Sequence, residues 1–206
     1  MKIQTMWNEK FSREGYLYGK KPNAFLAKQS ALLSPQSNIL MLGEGEGRTA
    51  VYMASLGHSV TALDASDVGL EKCRVLAEEM KVEVTTIHAD LDIWKSETSY
   101  DAVMTSFLHL MEPLRSKAFS ASLESLKVGG YFIGEFFALE QLSRDSGGPK
   151  MPELLYTLDS VTKIFKRDGF KVIVLEQCED HLNEGSGHQG DAVLVRVIVE
   201  KLEENR

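Results

Sequence analysis

The sequence has few of the features that mark secreted, membrane or nucleic-acid-binding proteins. Its 206 residues include only two cysteines, Cys73 and Cys178, too few for a disulfide framework. No apolar run approaches the length of a membrane span, and the first residues lack the pattern of a signal peptide. The formal net charge is −7 and no convincing basic stripe is present, which argues against a nucleic-acid partner. These absences predict a cytoplasmic protein with no membrane partner.

The strongest local pattern begins with a short apolar run at residues 39–42 that stops at Gly43. A loop of sequence GEGEG follows and leads into a predicted helix over residues 49–56. A second apolar run, at residues 60–63, closes on Asp64. Glycines allow a close approach of the backbone to a ligand, and a following helix offers free N–H groups at the same place. This order, a strand, a glycine turn, a helix, a second strand and an acid, is typical of the first half of a nucleotide-binding unit. In such a unit Asp64 would accept hydrogen bonds from a ribose diol.

The composition of the loop favours an adenosine derivative without a phosphate. The dinucleotide fingerprint G-x-G-x-x-G needs a glycine at position 48, where Arg48 stands. Glu44 and Glu46 place two carboxylates in the loop that would cradle a pyrophosphate, and like charges within about 4–6 Å repel. S-adenosylmethionine carries a sulfonium and an ammonium group and no phosphate. The charge pattern therefore favours S-adenosylmethionine over NAD.

Helices and strands alternate through the rest of the chain. Helices are predicted over residues 24–33, 67–81, 113–126 and 159–168, and strands over residues 82–88, 100–106, 131–137, 170–178 and 191–200. Residues 127–130 are predicted as a turn. The loop at 179–190, whose glycines suggest mobility, joins the last two strands without a helical crossover, so that they should pair antiparallel. The prediction is an α/β fold: a doubly wound seven-stranded, mostly parallel sheet with an antiparallel last strand.

A single domain over residues 1–206 is expected, with two segments that would cover the cleft. Residues 1–37 combine an aromatic arm with a helix. The arm could anchor on the sheet, or it could act as a lid that excludes water and offers a π-face to a sulfonium. Residues 137–157, which are irregular and contain glycine and proline, are predicted as an insertion over the cleft. Residues 203–206 are predicted as a charged tail.

In the order of its elements and in several motifs, the chain resembles class I S-adenosylmethionine-dependent methyltransferases. The motifs are the glycine loop at 42–47, Asp64, Ala89-Asp90, Asp101 and the sequence at 127–130. A narrower resemblance is to the small methyltransferases grouped with tellurite-resistance and thiopurine-methyltransferase-like proteins. It depends on the glutamates of the glycine loop, the sequence EGSGH at 184–188, and the arm residues Trp7, Tyr18-Gly19 and Pro22-Asn23.

This resemblance implies a donor site along the ends of the first four strands. Gly43, Gly45 and Gly47 would lie beside the methionine moiety, and Glu44 or Arg48 would fix its ammonium or carboxylate. Asp64 would bind the ribose hydroxyls. The adenine would be flanked by Ala65, hydrogen-bonded by Asp90 and covered by Leu91. Two residues near the sulfonium and one from the arm complete the predicted cofactor set: Ser106, Phe107 and Tyr18. For Asp64 and Asp90 the alternative is helix capping or turn formation.

Two histidines are the catalytic candidates on the acceptor side. His109 follows the fourth strand, and His188 lies in the loop at 179–190. Methyl transfer is an in-line displacement that needs a general base only when the acceptor is a hydroxyl or a protonated amine. A structural role is the alternative for His109, and the two alternatives for Glu135 are an acceptor-side acid and an ordinary strand-end acid. The spacing of histidines and cysteines gives no metal signature.

The sequence thus predicts an enzyme that transfers a methyl group from S-adenosylmethionine to a small-molecule acceptor. The acceptor is a thiol, an amine or a metalloid or chalcogen oxyanion. The alternative is a non-catalytic S-adenosylmethionine-binding sensor or partner module, in which the aromatic arm is an interaction surface. The expected partner is a small-molecule substrate, and the chain is expected to be a monomer or a homodimer.

Overall fold

Seven strands form one sheet in the computed structural model, which describes residues 3–203. The strands are β1 (Asn38–Leu42), β2 (Ser59–Asp64), β3 (Thr85–His88), β4 (Tyr100–Ser106), β5 (Leu126–Phe137), β6 (Phe170–Glu184) and β7 (His188–Lys201). Their order is β3-β2-β1-β4-β5-β7-β6. Neighbours from β3 to β5 pair parallel, and β7 pairs antiparallel with both β5 and β6. The predicted fold class is confirmed.

Six α-helices accompany the strands in the described part of the chain. They are α1 (Ile3–Phe11), α2 (Ala24–Gln29), α3 (Arg48–Ser55), α4 (Asp67–Met80), α5 (Leu114–Glu124) and α6 (Leu158–Phe165). Side-chain caps begin three of them: Asn23 accepts from the N–H of Leu26, Ser66 from Gly69 and Thr157 from Ser160. Within residues 3–203, none of these helices is long and apolar enough to cross a membrane.

The sheet is buried on both faces because its strands are apolar on both faces. In β1, Ile39 and Met41 belong to a core cluster with residues of α2, α3 and α4, whereas Leu40 and Leu42 belong to a second cluster with residues of α5 and α6. Continuous apolar strands of this kind are typical of parallel sheets covered by helices. The chain order reverses between β1 and β4, which places a crevice at their carboxyl ends.

Several predicted boundaries were wrong. The loop predicted at 179–190 is a hairpin, because pairing continues from His181 opposite Asp191 to Glu184 opposite His188. Gly185, at φ +58°, then allows the strands to be joined by a tight turn. Residues 127–130, predicted as a turn, lie within β5 but pair with no residue of β4, because Leu126 is opposite Tyr100 and Tyr131 is already opposite Ala102.

The N-terminal and internal segments contain structure that the sequence did not predict. Helix α1 was not predicted, and the helix predicted over 24–33 ends at Gln29 and continues as a 3-10 helix over Ser30–Leu32. Residues 137–157 contain two further 3-10 helices, Leu139–Ser143 and Pro152–Leu154, and Ala138 pairs with Tyr156. Most of the tail predicted at 203–206 lies outside the described residues.

Candidate functional site

The glycine loop and Asp64 meet where β1 and β2 end. The backbone N–H of Gly45 donates to Oδ2 of Asp64 at 2.8 Å, and the N–H of Ser66 donates to Oδ1 at 2.7 Å. Gly43 and Gly45 have φ values of +67° and +62°, the left-handed region that glycine enters without strain. Burial raises the pKa of Asp64 although these backbone hydrogen bonds oppose it. A buried carboxylate thus lies against a left-handed loop at the point where the sheet reverses its order.

Glu44 covers the N-terminus of helix α3. One oxygen, Oε1, accepts from the N–H of Thr49 at 2.9 Å and from the N–H of Ala50 at 2.7 Å. These are the amides that bind a phosphate in dinucleotide sites. The sequence predicted that Glu44 would repel a phosphate; in the structure its carboxylate already occupies the place where a phosphate would bind. Burial raises the pKa of Glu44 to about 7.

Glu46 faces the N-terminal segment and not the cleft. Its buried carboxylate accepts from the N–H of Leu17 at 2.8 Å and from Nζ of Lys72 at 2.9 Å. Lys72 also donates to the backbone carbonyls of Arg13 and Gly15. The prediction that Glu46 would edge the ligand cleft was therefore wrong, because hydrogen bonds hold this side chain to the segment before α2.

Each glycine of the loop lies against a protein side chain. A Cβ on Gly43 would lie 2.7 Å from Cδ1 of Leu108, and a Cβ on Gly45 would lie 2.9 Å from Cζ of Phe11. A Cβ on Gly47 would lie 2.5 Å from Sγ of Cys73. The loop therefore requires glycine for its contacts within the protein as well as for its φ angles.

Arg48 is paired with an acid from the other end of the chain. Its guanidinium lies 3.0 Å from Glu184, and both side chains are buried. The resemblance implied that Glu44 or Arg48 would fix the ammonium or carboxylate of the methionine moiety. Because Glu184 neutralises its charge, Arg48 does not present a free cation to a ligand.

The residues predicted around the adenine lie at the ends of β2 and β3. Asp90 is exposed, and its Oδ1 accepts from the N–H of Asp92 at 3.0 Å, which is the turn-forming alternative. The carbonyl of Ala65 lies 3.0 Å from Nε2 of His88. Leu91 is buried and packs into the core. Asp90 and Ala65 are accessible to a ligand at this edge, whereas Leu91 contributes mainly to the core.

At the end of β4, the backbone adopts an unusual conformation. Phe107 has φ +56°, and its N–H donates to the carbonyl of Glu135 at 2.8 Å, next to the pairing of Ser106 with Glu135. The Phe107 ring stacks on Phe137 at 4.5 Å and meets the ring of His188 edge-on at 4.5 Å. A left-handed non-glycine residue costs about 1–2 kcal/mol and is found preferentially at functional sites.

The two predicted catalytic histidines both lie against the ring of Phe137. The ring centroid of His109 is 5.6 Å from that of Phe137, and the centroid of His188 is 5.0 Å from it. Nδ1 of His188 is 2.9 Å from Glu184, and Nδ1 of His109 is 2.9 Å from the carbonyl of Leu154. Nε2 of His109 is buried and has no hydrogen-bond partner in residues 3–203. Burial lowers the pKa of His109 to about 4.

Tyr18 and Glu135 complete this side of the site in different ways. The Tyr18 ring lies 4.4 Å from the ring of His188, and burial raises the pKa of its hydroxyl to about 12. The Glu135 carboxylate accepts from Nδ2 of Asn23 at 2.7 Å and from Nε of Arg196 at 2.6 Å. Glu135 is thus held in a buried hydrogen-bond network, as expected if it is an ordinary acid at the end of a strand.

The sequence prediction missed Phe137 as a site residue and gave Glu184 no role there. The signal for Glu184 was its spacing from His188 across a glycine-rich turn. Four residues apart in a tight hairpin, the two are cross-strand neighbours. Among the described residues, no three histidine, cysteine, aspartate or glutamate side chains gather as metal ligands. A concavity of about 650 Å³ lined by His58, Arg74 and Glu78 lies at the amino ends of β2 and β3, away from this site.

The comparison with protein families agrees with this geometry. Residues 39–130, which include the glycine loop, Asp64 and the residues after β4, match the family model described as a methyltransferase domain. This match covers 92 of the 206 residues. The predicted enzyme class is thereby confirmed. No curated protein sequence matches the chain significantly.

Solved structures share the fold of this chain at low sequence identity. A structure reported for the conversion of a disulfide bond into a thioacetal group during echinomycin biosynthesis has a TM-score of 0.78 and 16% identity, and covers 99% of this chain and 93% of that chain. TehB from Haemophilus influenzae has a TM-score of 0.71 and 17% identity, over 96% of this chain and 66% of that chain. The N-methyltransferase NodS from Bradyrhizobium japonicum WM9, in complex with S-adenosyl-l-homocysteine, has a TM-score of 0.71 and 13% identity, over 97% and 98%.

The polar atoms at the glycine loop fit S-adenosylmethionine better than a dinucleotide. Oε2 of Glu44 makes no protein hydrogen bond within residues 3–203, so it can accept from an ammonium group. Asp64 holds a buried carboxylate beside the glycine loop, bonded to the N–H groups of Gly45 and Ser66. The amides of Thr49 and Ala50 are already taken by Glu44, so a pyrophosphate would find no donors there.

Proposed function

We propose that this methyltransferase domain takes its methyl group from S-adenosylmethionine and transfers it to a small-molecule acceptor. A single observation carries the proposal: Asp64 is hydrogen-bonded at 2.8 Å to the N–H of Gly45 while Glu44 occupies the N-terminus of α3. The first contact supports the proposal because it holds a carboxylate beside the loop, and the second supports it because Glu44 takes the amides that a phosphate would need. Together they select an adenosine without phosphates.

In this proposal, each donor-side residue has a defined task. The carboxylate of Asp64 binds the ribose hydroxyls, and the free oxygen of Glu44 accepts from the ammonium group. Asp90 and Ala65, at the ends of β3 and β2, flank the adenine. When bound, S-adenosylmethionine supplies an electrophilic methyl group on a sulfonium. The protein positions the acceptor in line with that methyl group and excludes water.

The narrower likeness to tellurite-resistance and thiopurine-methyltransferase-like enzymes is supported by TehB, whose fold the chain shares over 96% of its length. NodS, described as an N-methyltransferase, shares the fold equally well. Both neighbours share only the fold with this chain, so neither of them fixes the acceptor class.

Isothermal titration calorimetry tests the donor assignment. We expect S-adenosylhomocysteine to bind the parent protein and NADH to bind at least about 100-fold more weakly, because Glu44 fills the phosphate position. Asp64→Asn should weaken the binding of S-adenosylhomocysteine by about 10–100-fold, which corresponds to the loss of one or two charge-assisted hydrogen bonds. Asp92→Asn, which changes an exposed acid paired with Lys117, is the matched control. Tighter binding of NADH than of S-adenosylhomocysteine would refute the proposal.

A further inference from the structure

Resting on the proposed function, we infer that the methyl acceptor is a flat organic acid whose carboxylate binds between Lys10 and Arg48. Its ring or conjugated body lies against the accessible faces of Tyr18 and Phe107. Three features carry the inference: a cation without an acid partner, a buried guanidinium with unused N–H groups, and two histidines whose lone pairs keep negative charge away from the rest of the site.

Lys10 brings a positive charge to the two histidines. Burial is the main cause that lowers the pKa of His109 and of His188, and the charge of Lys10 lowers both further. The Lys10 side chain is partly buried, and its Nζ lies 4.4 Å from the centroid of the Trp7 ring. Within residues 3–203 this ammonium group forms no ion pair and no hydrogen bond. A partly desolvated cation without an acid partner favours the binding of an anion.

Lys10 has a defined position because α1 is anchored beside the glycine loop. Oδ1 of Asn8 accepts from Oγ of Ser66 at 2.6 Å. The Phe11 ring packs on the loop so closely that a Cβ on Gly45 would lie 2.9 Å from its Cζ. The ammonium group is therefore held at a fixed place relative to the loop that we assign to the donor.

Arg48 supplies hydrogen-bond donors. Nη2 donates to Oε2 of Glu184 at 3.0 Å. Nη1 lies 3.0 Å from Oε1 of the same carboxylate, but it is buried and forms no hydrogen bond within residues 3–203. A buried donor without a partner is unfavourable, and a carboxylate would satisfy it. Since Glu184 neutralises the charge of Arg48, the guanidinium contributes directed N–H groups and Lys10 contributes the net positive charge.

Two histidines restrict where the negative charge of the ligand can lie. Nδ1 of His109 is 2.9 Å from the carbonyl of Leu154, and Nδ1 of His188 is 2.9 Å from the carboxylate of Glu184. Both partners can only accept, so each Nδ1 carries the proton and each Nε2 has a lone pair. An ion with negative charge on every side, such as selenite or tellurite, would meet these lone pairs. A molecule with an acid group at one end can direct that group to the cations.

Accessible aromatic surface lies beside the cations. Tyr18 and Phe107 are partly exposed, and their ring centroids lie 4.4 and 4.5 Å from that of His188. The Trp7 ring next to Nζ of Lys10 is partly exposed as well. Aromatic faces of this kind favour a planar ring or a conjugated chain. The adjacent ammonium group favours an acid attached to that planar body.

Titrations with matched acids and amides test the inference. The probes are benzoate, cinnamate and 2-naphthoate, and each is compared with its primary amide, which has nearly the same shape and no charge. Isothermal titration calorimetry on the S-adenosylhomocysteine complex should show at least one acid that binds about 10-fold or more tightly than its amide. Selenite and tellurite should not bind. The inference is overturned if no acid binds more tightly than its amide, or if selenite or tellurite binds as tightly as the best acid.

The same measurements distinguish this inference from the proposed function. S-adenosylhomocysteine is titrated first, and its failure to bind would refute the proposed function. The acids can still be titrated into the protein alone in that case. If S-adenosylhomocysteine binds and the acids show no advantage over the amides, only the present inference fails.

Lys10→Met tests the cation, because it removes the charge and keeps an unbranched side chain. We expect the preference for the best acid over its amide to fall to about 3-fold or less. Lys28→Met, which changes an exposed lysine of α2, is the matched control and should keep the preference of the parent. An unchanged preference in Lys10→Met would contradict the assignment of Lys10.

Arg48→Lys tests the guanidinium. The variant keeps a positive charge beside Glu184 but loses the forked N–H donors. We expect the affinity for the best acid to fall by about 3–10-fold while the affinity for its amide stays the same. Equal losses for acid and amide would show that Arg48 does not bind the carboxylate. If the variant does not fold, Lys10→Met still decides whether the site selects an acid.

Discussion

Leu17 and Glu46 are joined by a hydrogen bond of 2.8 Å between the backbone N–H of Leu17 and Oε2 of the glutamate. The second acid of the glycine loop therefore holds the segment that precedes α2. Lys72 of α4 strengthens this link, since it pairs with Glu46 and donates to two carbonyls of the same segment. The position of the N-terminal segment is thus coupled to the loop that we assign to the donor.

Glu46→Ala should loosen the N-terminal segment. The variant loses the acceptor for Leu17 and the partner of Lys72, contacts worth about 1.5–3 kcal/mol when one group is charged. We expect amide hydrogen exchange at Leu17 to become about 10–100-fold faster. The control is Glu14→Ala, which changes an exposed glutamate of the same segment. In this variant the amide of Leu17 should exchange at the parent rate. Equal exchange rates in both variants would show that Glu46 does not hold the segment.

Glu44→Ala should convert the N-terminus of α3 into an anion site. Loss of the acceptor for Thr49 and Ala50 should cost about 1–3 kcal/mol in the free energy of unfolding. With those amides free, inorganic phosphate should raise the Tm of the variant but not that of the parent. Glu83→Ala, at an exposed site, serves as control. A phosphate-dependent Tm in the parent would contradict this account of phosphate exclusion.

Alanine substitutions at Gly47 and Gly57 distinguish the cost of backbone strain from the cost of steric conflict. They flank α3 and have nearly the same φ, +90° and +89°, but a Cβ on Gly57 meets nothing within 4 Å, whereas one on Gly47 would lie 2.7 Å from Cα of Cys73. We expect Gly57→Ala to lower the free energy of unfolding by about 1 kcal/mol, the cost of the left-handed backbone. Gly47→Ala should lower it by about 3 kcal/mol or more, because α4 must move. Urea unfolding measures both, and equal losses would show that the Cys73 contact is unimportant.

His109 should make stability depend on pH between about 4 and 6.5. Burial lowers its pKa from 6.5 to about 4 in the folded protein, so the unfolded chain binds a proton first as the pH falls. The stability is fully present above pH 6.5 and is lost as the pH falls towards 4, by about 1–3 kcal/mol.

His109→Gln should flatten this dependence, as measured by urea unfolding at several pH values. The flattening should be partial, because burial also lowers the pKa of His188. His181→Gln should keep the pH dependence of the parent, since that side chain is exposed. If His109→Gln loses stability with falling pH as steeply as the parent, His109 does not carry the effect.

The sheet could be predicted from the sequence because its signals are local. The strand at Tyr100–Ser106 was predicted with both of its boundaries, and the helix after Asp64 needed only the Ser66 cap and its apolar period. The extension of β6 and β7 to a tight turn could not be predicted. Their tips are polar and rich in glycine, and the partners that order them, Leu17 and Tyr18, are far away in the sequence.

The site shows the same division between local and distant contacts. Asp64 and the glycine loop could be predicted, because strand ends and turns place them together. The directions in which the Glu44 and Glu46 side chains point could not be predicted. The composition of a loop gives its charge, but it does not tell which backbone amides will donate hydrogen bonds to its carboxylates. The pairing of Arg48 with Glu184 joins residues that are far apart in the sequence, and no periodic pattern in the sequence predicts it.

The turn between β6 and β7 rests on the N-terminal segment: the N–H of Gly187 donates to the carbonyl of Leu17, and Gly185 packs on Gly19. During synthesis, the glycine loop and Asp64 can come together as soon as the first five strands have left the ribosome. The packing around His188 must wait for the final strand and for the beginning of the chain to meet it. A nascent chain would thus form these two regions in sequence, with the surroundings of His188 completed last.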